Sequence, residues 1–166
     1  MRRPVRSFLD DLDMKPKINI AIDAMGGDFA PQAAVEGAVQ SLQEVSCGLI
    51  LVGDQAAIES HLGGCRDERI QIVHTDEWVE MDEPAITPIR RKRKASIRLA
   101  GQQVRDGHAQ AMVSMGNTGA AMIVAKMVIG TIEGVDRPAL AQVMPSKQGY
   151  TLLLDVGANV DSKSSV

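Results

Sequence analysis

Ala111-Met112-Val113-Ser114-Met115-Gly116-Asn117-Thr118-Gly119-Ala120-Ala121-Met122 is the stretch on which the fold of this chain turns. A short apolar run stops at Gly116-Asn117-Thr118-Gly119, and an Ala/Met/Ile/Val run of helical character follows. That order predicts strand, tight turn, buried helix. Gly116 and Gly119 allow backbone angles or close approaches that a Cβ obstructs. Asn117 and Thr118 are turn and N-cap residues. A helix beginning there directs free N–H groups and the positive end of its dipole back at the turn. Phosphate, carboxylate or an oxyanion is attracted to such a place, although the same residues also write a plain βα turn.

Working outward, the same grammar recurs. Lys17 to Asp23 reads as a strand that breaks at Ala24-Met25-Gly26-Gly27-Asp28-Phe29-Ala30-Pro31. The paired glycines mark a loop, and Pro31 suits the first turn of a helix. Ala34, Val35, Ala38, Val39 and Leu42 then fall on one helical face. Leu49 to Val52 is a second strand, with Asp54 capping a short helix through about Leu62 and Gly63-Gly64 stopping it. Ile70 to Val73 is a third. A polar, acidic loop from Thr75 to Pro88 precedes a basic helix, Ile89 to Arg105, whose apolar stripe is Ile89, Ile97, Ala100 and Val104. Beyond Arg137-Pro138, Ala139–Met144 and Tyr150–Val156 are expected to form a hairpin about Pro145 to Gly149. Alternating strands and helices predict an α/β fold in three layers, a mainly parallel sheet with helices on both faces. Residues 1–16 read as an N-terminal extension, 17–161 as the α/β domain, and 162–166 as a divergent tail.

Composition narrows the function. Of 166 residues, 45% are apolar and 23% charged, enough for an ordinary core, and at 2% aromatics that core is aliphatic. A formal net charge of −3 points neither to nucleic acid nor to a membrane surface. No apolar run reaches the roughly 20 residues of a membrane span. Cys47 and Cys65 lack CxxC spacing, which fits reduced thiols in a cytosolic protein.

In an open parallel sheet, ligands sit beyond the carboxyl ends of the strands. Four loops fall at such ends: Met25 to Asp28, Gly53-Asp54, Gly116 to Gly119 and Gly157 to Asp161, all joining Gly to Asp or Asn. Familiar nucleotide and nucleophile signatures are absent: no GxGxxG, no Lys-Ser/Thr after the glycine turn, no GxSxG. His61, His74 and His108 show no metal-ligand spacing. Asp23, Asp28, Asp155 and Asp161 could hold Mg²⁺, but capping and turn roles suit most of them better. Arg90 to Lys94 with Arg98 is the sharpest charge feature. Arg90, Lys94 and Arg98 would share one helical stripe, either a solvated face or a dock for an anionic partner. Without interleaved aromatics, base stacking is disfavoured.

Three loops read together resemble one family. Ile20-Ala21-Ile22-Asp23-Ala24-Met25-Gly26-Gly27-Asp28-Phe29-Ala30-Pro31, Val113 to Ala120 and Leu152 to Asn159 are similar, in order and spacing, to bacterial phosphate acyltransferases of the PlsX type. The intervening Arg137-Pro138-Ala139-Leu140-Ala141 matches as well. The resemblance implies a fold like that of isopropylmalate dehydrogenases and phosphotransacetylases. It implies conversion of acyl-acyl carrier protein and inorganic phosphate to acyl phosphate for phospholipid synthesis; no cofactor is expected, no metal-ligating residue is singled out, and a metal requirement stays open. It further implies a cytoplasmic homodimer, with peripheral membrane association left open. Family chains are longer, so the resemblance covers their N-terminal portion, and Met115 stands where an Ala is expected. Phosphate itself would attack the thioester, so the protein supplies position and donors. Gly116, Asn117, Thr118 and Gly119 would cradle phosphate or the oxyanion, with Asn117 the candidate donor. Asp23, Gly26, Gly27 and Asp28 would form the neighbouring wall, and Asp155, Gly157 and Asn159 the third side. Arg90, Lys94 and Arg98 would dock the acidic carrier protein. Two rivals stay open: an anion-binding fragment without turnover, and another phosphotransacylase-like enzyme or kinase.

Overall fold

The computed structural model describes residues 18–155. The proposed extension, the tail, Gly157 and Asn159 lie outside the described residues. Four strands, β1 (Asn19–Asp23), β2 (Gly48–Gly53), β3 (Ile70–His74) and β4 (Ala111–Ser114), form one sheet in the order β3-β2-β1-β4. Every pairing is parallel. Helices α1 (Gln32–Ser41) and α2 (Gln55–His61) connect the first three strands. Asp54 caps α2 as expected, its carboxylate accepting from the Ala57 N–H at 2.7 Å.

Alternation along the strands divides the core in two. Ile22, Leu49 and Leu51 point to one face and meet Val35, Ala38 and Leu42 of α1 and Ile58 of α2. Ala21, Ile50 and Val52 point to the other and meet Ala100 of α4 (Ser96–Arg105). The chain winds from β1 to β3 in one direction, then returns to place β4 on the opposite side of β1. Crossovers of constant hand put helices on opposite faces when the direction of winding reverses. The three-layer arrangement follows.

The expected basic helix is broken. α3 (Thr87–Arg90) ends almost as soon as it starts, a turn carries Arg91 to Ala95, and α4 begins only at Ser96. Cations at Arg90 and Lys94 would repel as i, i+4 neighbours on a continuous helix. Tertiary bonds claim the turn instead: Lys92 Nζ reaches Glu83 at 2.6 Å and the Trp78 carbonyl at 2.8 Å, and Thr75 Oγ1 donates to the Lys94 carbonyl at 2.7 Å. Arg90, Lys94 and Arg98 therefore share no helical stripe.

After β4, α5 (Thr118–Val124) continues into a π-helical segment, Ala125–Ile129. Ala120, Val124 and Val128 of this segment pack on Ile97 of α4 and on Val79. The hairpin is present as β5 (Ala141–Ser146) and β6 (Gly149–Leu154). Its turn is tighter than expected, because Pro145 lies within β5 opposite Tyr150. A two-stranded ribbon leaves one edge unpaired, so the missing proline N–H is tolerated there. Among the described residues, no helix is long and apolar enough to cross a membrane.

Candidate functional site

The reversal in strand order lies between β1 and β4, whose last residues, Asp23 and Ser114, are register partners. Open α/β sheets bind ligands at this switch point. Asp23 is 3% exposed. One carboxylate oxygen accepts from Ser96 Oγ at 2.6 Å and the other from Ser114 Oγ at 2.7 Å. Ser114 Oγ in turn accepts the Gly116 N–H at 3.1 Å. Burial pushes the Asp23 carboxyl above the usual carboxylate range, while the two hydroxyls and a backbone bond from Met25 pull it back in part. Both carboxylate oxygens are thus occupied by protein. Asp23 ties the first glycine loop, the start of α4 and the 116–119 turn together, and acts on a ligand only through them.

Gly26 and Gly116 meet at this knot. A Cβ on Gly26 would lie 2.6 Å from the Asp23 carboxylate and 2.9 Å from both the Gly116 nitrogen and Ser114 Oγ. The two loops therefore touch backbone to backbone, and glycine is the residue that permits it. Gly27, with φ of +105°, turns the loop away over Met115.

Asn117 is the N-cap of α5. Its side-chain oxygen accepts from the Ala120 N–H at 3.0 Å, and its amide nitrogen donates to the Met81 and Glu83 carbonyls at 3.1 and 2.9 Å. The side chain expected to offer a donor to the oxyanion is committed to the cap and to the acidic loop above it. The N–H groups of Thr118 and Gly119, at the first two helical positions, have no intrahelical partner. These, rather than the Asn117 amide, are the donors the turn can present. The acidic loop lies directly over the turn, since a Cβ on Gly119 would stand 2.8 Å from that of Ala85. Lys92, paired with Glu83 at 2.6 Å, holds the same loop from the far side and keeps the Glu83 carboxyl below its ordinary range.

Two cavities flank the turn. One, of about 410 Å³, is bounded by Met25, Gly27, Asp28 and Ala30 on one side and by Trp78, Glu80 and Asp82 on the other. Its carboxylates, the exposed Asp28 among them, make it a poor seat for phosphate. The other, of about 550 Å³, begins at Thr118 and Gly119 and runs along α5 to Pro138 and Leu140. Asp155 lies on its wall, paired with Arg137 at 2.8 Å. Of the three residues expected on the third side, Asp155 is the one among the described residues.

The proposed docking residues separate. Arg90 and Lys94 are exposed, with Arg91 and Arg93 beside them. Arg98 turns inward, donating to the Pro88 carbonyl of α3 at 3.1 Å. Sequence reasoning missed Ser96 and Ser114. Ser114 sat inside the opening stretch as the last residue of a strand, and only the register with Asp23 gives it a role. Among the described residues, no cluster of three or more His, Cys, Asp or Glu could hold a metal ion.

A family model described as "Fatty acid synthesis protein" matches residues 18–166, nearly the whole chain. The chain belongs to that family. A relative named phosphate acyltransferase from Pelotomaculum thermopropionicum is 48% identical over 147 residues, which is 88% of this chain and 43% of the relative. Relatives of the same name from Bacillus cereus (strain B4264) and Koribacter versatilis are each 49% identical, over 148 and 150 residues, covering 88% of this chain and 44% and 42% of their own lengths. The chain thus spans less than half the length of these family members. The residues matched by the family model contain the Gly26-Gly27 loop, the 116–119 turn and the hairpin.

Proposed function

We propose that this chain carries the phosphate-binding half of an acyltransferase that makes acyl phosphate from an acyl thioester of acyl carrier protein and inorganic phosphate. The observation that supports it is the contact of the Gly26-Gly27 loop with the Gly116–Gly119 turn at the switch point, in a chain of a family whose curated members bear the name phosphate acyltransferase. A phosphate oxygen attacks the thioester carbonyl carbon, giving a tetrahedral oxyanion. Its collapse breaks the carbon–sulfur bond, and the carrier leaves as thiolate. The Thr118 and Gly119 N–H groups face the charge that develops, and donors of this kind are each worth about 10²–10³ in rate. Asp23, through Ser114 and Gly116, holds the turn in place. The exposed cations Arg90, Arg91, Arg93 and Lys94 form the docking surface for the acidic carrier, where charge attraction speeds encounter and salt screens it.

The test is a chimera in which residues 18–155 replace the matching segment of the Bacillus cereus relative. Acyl phosphate, followed by phosphorus NMR, is expected to appear only when phosphate and acyl carrier thioester are both present. Thioester loss at the same rate without phosphate would sink the reading, as would a folded chimera that makes no acyl phosphate. Reversing Arg90 and Lys94 to Glu is expected to raise the KM for the carrier and leave that for phosphate unchanged.

A further inference from the structure

We propose that Lys92 is a positioning residue for the Gly116–Gly119 turn, acting through Glu83 and Asn117. The inference rests on the acyltransferase reading and adds to it a side chain remote from the turn. Arg90, Arg91, Arg93 and Lys94 are exposed, whereas Lys92 is half-buried and its charge is turned onto the protein. Its Nζ donates to Glu83 Oε1 at 2.6 Å and to the Trp78 carbonyl at 2.8 Å. Glu83 carries the contact onward. Its carbonyl and that of Met81 accept from the Asn117 amide at 2.9 and 3.1 Å, and Asn117 Oδ1 accepts the Ala120 N–H at 3.0 Å. Glu83 and Asn117 alone stand between the Lys92 ammonium and the first turn of α5.

Residues 75–86 contain no helix or strand, so tertiary bonds set the place of the acidic loop. Its near end is tied independently of Lys92. Thr75 Oγ1 donates to the Lys94 carbonyl at 2.7 Å, and Glu77 accepts from the Ser96 N–H at 2.9 Å and from the Lys94 N–H at 3.1 Å. Removing the Lys92 ammonium leaves those bonds in place and loosens only the stretch that overlies the turn. At the other end of the same short segment, Ser96 donates to Asp23, which reaches the Gly116 N–H through Ser114. Residues 92–96 thus brace the turn twice, at Gly116 through Asp23 and at Asn117 through Glu83. A partly exposed ion pair adds little to folding, so what Lys92 contributes is placement. Misplacing a reacting group by about 1 Å can cost about 10²-fold in rate.

Hydrogen exchange of the 166-residue chain tests the latch. Lys92→Met is expected to speed exchange of the Ala120 N–H, the amide that Asn117 caps, at least about fivefold. The Ala57 N–H, capped by Asp54 on α2, is expected to keep its rate. Lys92→Arg, which keeps charge and reach, is expected to behave as the wild type. Arg105→Met, which removes another exposed ion pair, is expected to change neither amide. In the chimera, Lys92→Met is expected to lower kcat at least about tenfold with the KM for the carrier unchanged, and Lys92→Arg to retain the wild-type kcat. An unchanged Ala120 rate, or an equal rise at Ala57, overturns the proposal. So does a carrier KM that rises while kcat holds, because Lys92 then belongs to the docking surface. Faster exchange at Ala120 combined with thioester turnover that needs no phosphate leaves the latch in place and removes the acyltransferase reading. Unchanged exchange and kcat in a chimera that does need phosphate removes the latch alone.

Discussion

Strands β2 and β6 are near twins on paper and opposites in the molecule. Gly48-Leu-Ile-Leu-Val-Gly53 is buried at all six positions, while Gly149-Tyr-Thr-Leu-Leu-Leu154 is exposed at all six. Both are short aliphatic runs opened by glycine. The difference is what covers them. β2 has a strand on each side and a helical layer on each face, whereas among the described residues β6 pairs with β5 alone. A run of apolar residues therefore states a need for cover and says nothing of where the cover comes from. An isolated two-stranded hairpin is marginal in water, and the exposed Val143, Met144, Leu152 and Leu154 make this one a surface that seeks a partner.

That contrast can be broken by mutation. The largest effect is expected from Leu51→Ala, at a side chain with 0% exposure in the centre of β2. Urea denaturation should show a loss of ~2–5 kcal/mol. A loss under about 1 kcal/mol would mean that the layered sheet is not where stability resides. Next comes Gly26→Ala, which thrusts a methyl group to 2.6 Å from the Asp23 carboxylate. Overpacking of this kind costs about 1–3 kcal/mol, and an unchanged melting temperature would show that the two glycine loops have room to part.

A smaller, pH-dependent effect belongs to Asp23. Its folded carboxyl titrates above the unfolded value of 3.8, so between those two points the native state holds more protons than the unfolded chain. Stability from this group is greatest below the unfolded pKa, declines as pH rises through the folded pKa, and is level above it. Asp23→Asn removes the decline, so the variant should gain on the wild type as pH is raised. Parallel urea midpoints from pH 3 to pH 8 would contradict this. Smallest of all is Leu152→Ala on the hairpin, expected to lie within about 0.5 kcal/mol of zero. A large loss there would reveal packing that its exposure denies.

The strands, the turns and the capping residues were legible because each is a local signal. Asp54 reads as a cap from its neighbours alone, and so does Asn117. The knot at the switch point was not legible, because Ser96 and Ser114 reach Asp23 across 73 and 91 residues of chain. Nothing near Ser96 announces that partner. The basic helix misled for a related reason. Its periodicity was genuine for Ile97, Ala100 and Val104, but Lys92 and Lys94 answer to Glu83 and Thr75, which lie on another segment. Asn117 is legible as a cap from its neighbours, but the carbonyls that occupy its amide belong to Met81 and Glu83 on a distant segment.

The pairing of β1 with β4 also sets an order of events in time. β1, β2 and β3 lie within residues 19–74 and meet through two short helical connections, while β4 begins only at Ala111. At about 5–20 residues per second of synthesis, the first three strands leave the ribosome several seconds before the residue that completes the knot. Until then Asp23 has no Ser114 to accept from, and the two glycine loops cannot touch. Closing so long a stretch of chain carries an entropic cost that local pairings such as β5 with β6 escape. The segment nearest the proposed chemistry is therefore the last strand of the four-stranded sheet to be synthesised, and a ligand that binds the finished turn favours the state in which that strand has joined.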